Sequence, residues 1–305
     1  MWLVLAFLSA ALLGCYDSFK KQALRANAVV PVLFLNTLFS SLFFLPFIIL
    51  SATTNTLDGS IFHVASGGWE VHRYVVFKAV IVLSSRLLGY FAMKHLPLTI
   101  VGPINATRPV MVLVGALLVF GERLNVWQWI GVMLAVLSFL MLSRSGKKEG
   151  IDFRRDHWIW MIVGAALLGA LSGLYDKFLM APVESGGVGL DRMLVQSWYN
   201  IYQCVMMLAM LLLLWWPKHH ETTPFHWAWS IIGVSLFLSV ADFVYFYSLS
   251  LPDAMISIVS MVRRGSVVVS FLFGALFFHE KNLRAKAVDL ALVLLGMLFL
   301  YIGSA

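Results

Sequence analysis

The stretch Ser143–His157, SRSGKKEGIDFRRDH, is the longest unbroken polar run in the chain, and apolar sequence extends about equally far on either side. The residues after His157 repeat, in weakened form, those before Ser143, so the run reads as a seam between two copies of one unit. Spanning a bilayer takes about 20 mostly apolar residues. Such runs fall at 2–20, 30–51, 74–94, 97–120 and 126–143 before the seam. After it they fall at 158–179, 190–216, 226–249, 252–279 and 285–303. An odd number of crossings per copy makes the second copy enter from the opposite side. The expected fold is therefore all-α and integral to the membrane, with ten transmembrane helices as two inverted-topology five-helix repeats. The expected units are residues 1–143 and 158–305, joined by a basic connector at 144–157.

Composition agrees. Of 305 residues, 61% are hydrophobic and 12% charged, against about 25% charged in soluble domains, and mean hydropathy is +0.88. A soluble globular enzyme of this composition would expose large apolar patches, which excludes that class. Eleven Trp and nine Tyr suit helix ends at the membrane interface. The formal charge of +7 raises nucleic acid as a partner. However, the basic residues sit in short connectors between apolar runs, where lipid phosphates and insertion rules account for them. Membrane lipids are expected partners and nucleic acid is not. Cys15 and Cys204 both lie in apolar runs, giving no disulfide framework and no metal-ligand spacing. Neither a metal nor another cofactor is expected. Leu12-Leu13-Gly14-Cys15 resembles a lipoprotein processing site, but Met1-Trp2 lacks the basic segment a signal peptide needs. Residues 2–20 are accordingly read as a retained span.

The repeat shows in three places, in the same order. Gly14-Cys15-Tyr16-Asp17-Ser18-Phe19 returns as Gly173-Leu174-Tyr175-Asp176-Lys177-Phe178. Tyr90-Phe91 before Leu96-Pro97 returns as Tyr245-Phe246 before Leu251-Pro252. Gly115-Ala116-Leu117 leading to Glu122 returns, with a one-residue slip, as Gly274-Ala275-Leu276 leading to Glu280. Five plus five spans, a Leu-Pro turn before the fourth, and Gly121-Glu122-Arg123-Leu124 closing it resemble the drug/metabolite transporter superfamily, in its EamA-like branch. His279-Glu280-Lys281-Asn282 departs from that ending. The resemblance implies a basket of helices around a cavity open alternately to the two sides, and many such relatives are exporters.

Lys and Arg number thirteen in the odd connectors and five in the even ones, Lys20 and Lys286 in the first set and Lys78 in the second. The rule that positive charge stays cytoplasmic then puts the central connector inside and both termini outside. The family resemblance implies termini inside, opposite to the charge count.

Ionisable groups within spans cost roughly 2.5–3.5 kcal/mol each on insertion scales and are functional candidates by default. They are Asp17, Arg86, Arg108, Asp176, Asp242, Arg263, Arg264 and Asp289. Asp17 and Asp176 hold matching repeat positions, each after a tyrosine (Tyr16, Tyr175), and are candidate coupling sites for a proton or cation. The alternative pairs them with Lys20, Lys21 or Lys177 near helix ends. Arg86 and Asp242 fall almost opposite each other in the repeat register and are a candidate ion pair or substrate contact. Arg108, between Thr107 and Pro109 with Gly102 and Pro103 one to two turns earlier, and Arg263 keep the same distance from their Leu-Pro marks. An arginine fork on a locally opened helix suits a carboxylate or phosphate. Tyr90 and Tyr245 are candidate wall residues, with Tyr247 beside them. Asp289 is expected near the surface beside Arg284 or Lys286, and Glu122 and Glu280 at helix N-termini. There is no P-loop, no HExxH and no nucleophile elbow, so no enzyme is expected.

These observations lead to a secondary transporter in the cytoplasmic (plasma) membrane, exporting a small polar or anionic metabolite by alternating access with a proton or cation as coupling ion. Three alternatives stay open: an exporter of lipophilic cations with the aspartates as its site, a lipid-carrier flippase, and a non-transporting membrane scaffold.

Overall fold

The structure, a computed structural model, describes residues 2–108, 110–111, 125–147, 151, 153–180, 183–250, 262–278, 280 and 283–304. Ten α-helices follow one another among them: α1 (Trp2–Leu24), α2 (Val29–Thr53), α3 (Trp69–His95), α4 (Leu98–Ala106), α5 (Val126–Lys147), α6 (His157–Met180), α7 (Arg192–Met210), α8 (Ser230–Ser250), α9 (Ser266–Leu276) and α10 (Leu283–Ser304). Beyond Met210, α7 runs on through a π turn at Leu211–Trp215 and a 3-10 turn at Trp216–Lys218. Among the described residues six helices are long and apolar enough to cross a membrane: α2, α3, α6, α7 with its extension, α8 and α10.

Local chemistry sets several ends. Asp191 caps α7 by accepting the Leu194 N–H at 2.9 Å, and Asp156 accepts from the Trp158 N–H at 2.9 Å where α6 begins. Both satisfy donors that the first helical turn leaves open. The α3–α4 turn at Leu96-Pro97 is held from two distant places. Lys21, at the end of α1, donates to the carbonyls of Met93 at 2.7 Å and Leu96 at 2.5 Å, completing the last turn of α3. Glu280, after α9, accepts the backbone N–H groups of Leu98 at 2.6 Å and Thr99 at 2.8 Å, and the Thr99 hydroxyl as well. The carboxylate thus serves the N-terminus of α4 and not, as sequence suggested, the helix that comes after it. Its repeat counterpart Glu122 lies outside the described residues, as do Gly115-Ala116-Leu117 and Leu251-Pro252.

Spans four and nine, expected unbroken over 97–120 and 252–279, are each interrupted beside an arginine. In α4, Pro103 withholds one helical donor, and the Thr107 hydroxyl takes the Ile104 carbonyl at 2.7 Å. The helix closes at Ala106, one turn residue before Arg108. Residues 262–264 are helical, Gly265 is a turn whose N–H reaches the Val262 carbonyl at 2.9 Å, and α9 starts at Ser266.

The outer surface carries large apolar side chains, among them Phe7, Leu42, Phe77, Leu167, Leu213 and Leu298. Such a surface suits hydrocarbon and not water. Trp69, Trp160, Trp216 and Trp229 stand exposed at or near helix ends, where aromatic residues meet the headgroups. Helix pairs meet through serines inside. Ser9 donates to the Ala241 carbonyl (α1 on α8), Ser85 to Ala165 (α3 on α6) and Ser138 to Asp289 (α5 on α10), each at 2.7 Å. Ser41 donates to Asn200 (α2 on α7) at 2.8 Å. These are the four closest helix pairings, and each joins a helix before the connector to one after it. Small hydroxyl residues let backbones approach and hydrogen-bond without a bulky intermediary. The principal core lies around Leu33, Tyr90, Met93 and Ile100.

Two expectations need correction. Lys20, Lys78 and Lys286, assigned to connectors in the charge count, are buried; a long apolar stem lets lysine extend a span that hydropathy closes early. Asp289 is buried at 1% exposure rather than near the surface, in the α5–α10 contact.

Candidate functional site

A cavity of about 240 Å³ lies at the centre, walled by α1, α3, α6 and α8, with Tyr199 of α7, the end of α4, and residues 263–267. Six basic side chains line it, Lys20, Lys78, Arg86, Arg108, Arg263 and Arg264, against three carboxylates, Asp17, Asp176 and Asp242. Basic groups therefore outnumber acidic ones by three.

The charges form two groups. In the first, the charged neighbours of Asp17 are Lys20, Arg108 and Arg264. Asp17 accepts from the Ser270 hydroxyl at 3.2 Å, and none of the three cations lies within ion-pairing distance of it. Lys20, one turn along α1, places its ammonium 4.4 Å from the Tyr90 ring centre and 5.2 Å from that of Tyr16, where the negative faces of the rings attract it. Arg108 donates to the Asn105 side-chain oxygen at 3.0 Å, and its buried Nε has no partner. Its guanidinium lies flat against Gly169 of α6; a Cβ there would sit 2.7 Å from the Arg108 Cζ. Arg264 makes no hydrogen bond or ion pair among the described residues.

In the second group the charges are paired. Lys78 of α3 meets Asp176 of α6 at 2.5 Å, with its ammonium 4.8 Å from the Tyr199 ring centre. Arg263 forms an ion pair with Asp242 of α8 and lies 4.2 Å from the Tyr245 ring centre. The Tyr199 hydroxyl donates to the other Asp242 oxygen at 3.3 Å. Between the groups, Arg86 donates to Gln203 at 2.6 Å and faces the Tyr199 ring at 5.9 Å.

Eight of the ten residues singled out from sequence come together here: Tyr16, Asp17, Arg86, Arg108, Asp176, Asp242, Tyr245 and Arg263. Tyr90 stands just behind the wall, fully buried and accepting from Asn36 at 2.8 Å. Tyr175 points away, donating to the Tyr74 carbonyl at 3.3 Å, and Tyr247 stacks on Phe243 outside the cavity. The pairings differ from those expected. Asp242 takes Arg263 and leaves Arg86 to Gln203, while Tyr199 of α7 turns its ring to Arg86 and its hydroxyl to the carboxylate. Asp176 takes Lys78 from another helix; the Lys177 side chain lies outside the described residues. Lys21 is spent on the end of α3, so it does not pair with Asp17.

Lys20, Lys78, Tyr199 and Gln203 were missed as candidate residues, and Arg264, a candidate by its depth in the span, was passed over in favour of Arg263. For the α7 pair a signal existed. Gln196, Tyr199, Asn200 and Gln203 recur at i, i+3, i+4 and i+7 in an otherwise apolar span, a polar stripe on one helical face, and all four are buried.

A bundle that is apolar outside and carries a charged cavity inside is the build of a multi-pass membrane protein. The sequence model of the EamA-like transporter family, in the drug/metabolite transporter superfamily, matches residues 1–144, just under half of the chain. That match implies a non-enzymatic secondary transporter with a small-molecule substrate. A solved crystal structure superposes with a TM-score of 0.63 over 99% of this chain and 97% of its own, at 13% identity. That likeness is one of fold, and it extends over the second half of the chain too. No curated protein matches the sequence.

Proposed function

We propose that the protein carries a small anionic metabolite across the cytoplasmic membrane by alternating access. The observation behind this reading is the buried excess of three basic side chains in the cavity. Uncompensated charge in a low-dielectric interior costs several kcal/mol per ion, and an anionic guest offsets that cost. Arg108, Arg264 and Lys20 attract the anionic group, with Arg86 contacting the remainder of the molecule. Arg263–Asp242 and Lys78–Asp176 hold the helices around it. A cation exporter is disfavoured, because two of the three carboxylates are already neutralised by bases. The remaining one, Asp17, is the proposed proton or cation coupling site.

The architecture proposed for this cycle is two inverted five-helix repeats, 1–143 and 158–305, about the connector 144–157. The pairing pattern supports it. Exchanging the halves turns the α1–α8 contact into α6–α3 and leaves α2–α7, α4–α9 and α5–α10 unchanged, and all of these contacts occur. Sites at the interface of such repeats alternate between the two sides as one repeat rocks on the other.

The test uses the purified chain in liposomes loaded with amino acids, organic acids, sugar phosphates and organic cations, with efflux under a pH gradient followed by mass spectrometry. Selective loss of anions, weakened by Arg108→Gln, is expected. Loss of cations alone overturns the reading. Asp17→Asn is expected to leave exchange of the anion intact while removing its dependence on the gradient.

A further inference from the structure

Resting on the anion reading above, we infer that the substrate carries two negative charges, both taken up at the group formed by Lys20, Arg108 and Arg264 around Asp17. The two charge groups of the cavity are unequal. Around Asp176 and Asp242 the carboxylates are matched one to one by Lys78 and Arg263. Around Asp17 three cations face one carboxylate, leaving an excess of two positive charges in one place. A dianion brings this group to neutrality. A monoanion leaves one buried charge uncompensated, and a neutral or zwitterionic molecule leaves two.

The donors there are also arranged for a ligand. Among the described residues the buried Arg108 Nε has no partner, and Nη2 is engaged by Asn105. Gly169 brings the α6 backbone flush against the guanidinium plane, so that one face is covered and the fork is held in fixed orientation. A planar, pre-oriented fork binds carboxylate or phosphate oxygens by two parallel hydrogen bonds. Lys20 is anchored over the rings of Tyr16 and Tyr90 and not by a carboxylate, so its three donors remain for oxygen acceptors. The volume of about 240 Å³ suits a short dicarboxylate or a small phosphate monoester, the two common sources of this charge.

Matched pairs of probes separate charge from shape: succinate against monomethyl succinate, and methyl phosphate against dimethyl phosphate. Each is supplied to proteoliposomes and its counterflow measured, with thermal stabilisation of the purified protein by the same compounds as a second readout. The expected result is transport and stabilisation by at least one dianion, about tenfold stronger than by its ester. The pair showing the difference identifies carboxylate or phosphate chemistry. Arg264→Gln, which lowers the excess to one, is expected to narrow the tenfold preference to about twofold or less, chiefly by weakening the dianion. Equal handling of dianions and their esters overturns the dianion inference while leaving the anion reading standing. Movement of cations or neutral compounds alone overturns the anion reading itself. Failure of both dianions to move or to stabilise the protein overturns the inference as well.

Discussion

Asp17 and Asp176 occupy matching places in the sequence, each after a tyrosine near the end of the first helix of its half, yet the regions around them are built oppositely. Asp176 is held by Lys78, and its neighbour Asp242 by Arg263, so that side is neutral pair by pair. Asp17 has Lys20, Arg108 and Arg264 as charged neighbours, none within ion-pairing distance, and among the described residues it is bonded to a serine. The departures from the repeat explain the difference. In the register that lays Leu96-Pro97 on Leu251-Pro252, Asp242 falls on Leu87, so Arg108 has no counterpart of the carboxylate that Arg263 uses. Arg264 falls on Pro109, an added cation with no match in the first half. Charge is thus paired on one side of the cavity, and on the proposed reading the unpaired charge of the other side is what receives the guest.

Substitutions test this division. The largest effect on stability is expected from Arg263→Leu, which strands Asp242 and should cost about 3–5 kcal/mol, read as unfolding of the detergent-solubilised protein. Arg108→Leu is the sharpest comparison, because it removes a buried cation that has no carboxylate. It should cost less than about 1 kcal/mol while lowering anion transport tenfold or more, a barrier change of about 1.4 kcal/mol. Equal destabilisation by the two leucine variants would erase the distinction between the two sides. Gly169→Ala moves the flexible end of Arg108 off α6, a shift offset by the about 1 kcal/mol that alanine gains over glycine in a helix, so stability should change by about 1 kcal/mol or less, with reduced anion affinity at unchanged Lys78–Asp176 packing. The smallest effect is expected from Glu280→Gln, which keeps an acceptor for α4 but removes its charge. About 1 kcal/mol or less, in the range of capping and helix-dipole terms, should appear in the same unfolding measurement.

Most of the fold was legible because a bilayer imposes a length: runs of about 20 apolar residues leave little choice of structure. Helix boundaries came within a few residues except at α4 and α9, where the breaks depend on Thr107 and Gly265 competing with the helical ladder, a contest that hydropathy does not register. The cavity lining was legible where charge stood deep in a span, as with Arg86, Arg108 and Asp242. It was not legible at Lys20 and Lys78, because a lysine near a span end reads as one snorkelling to water. Which charges pair depends on the depth and facing of helices far apart in sequence. That is why Asp242 was assigned to Arg86 and not to Arg263.

The turn at Leu96-Pro97 carries one more consequence. The last carbonyls of α3 and the first amides of α4 are satisfied by Lys21 and Glu280, so a helix of the first half begins correctly only when a carboxylate from the second is present. The chain cut at the connector therefore yields a first fragment with an unfinished helix end. Fragments 1–143 and 158–305 made together should reassemble, and fragment 1–143 made alone should be the more readily degraded.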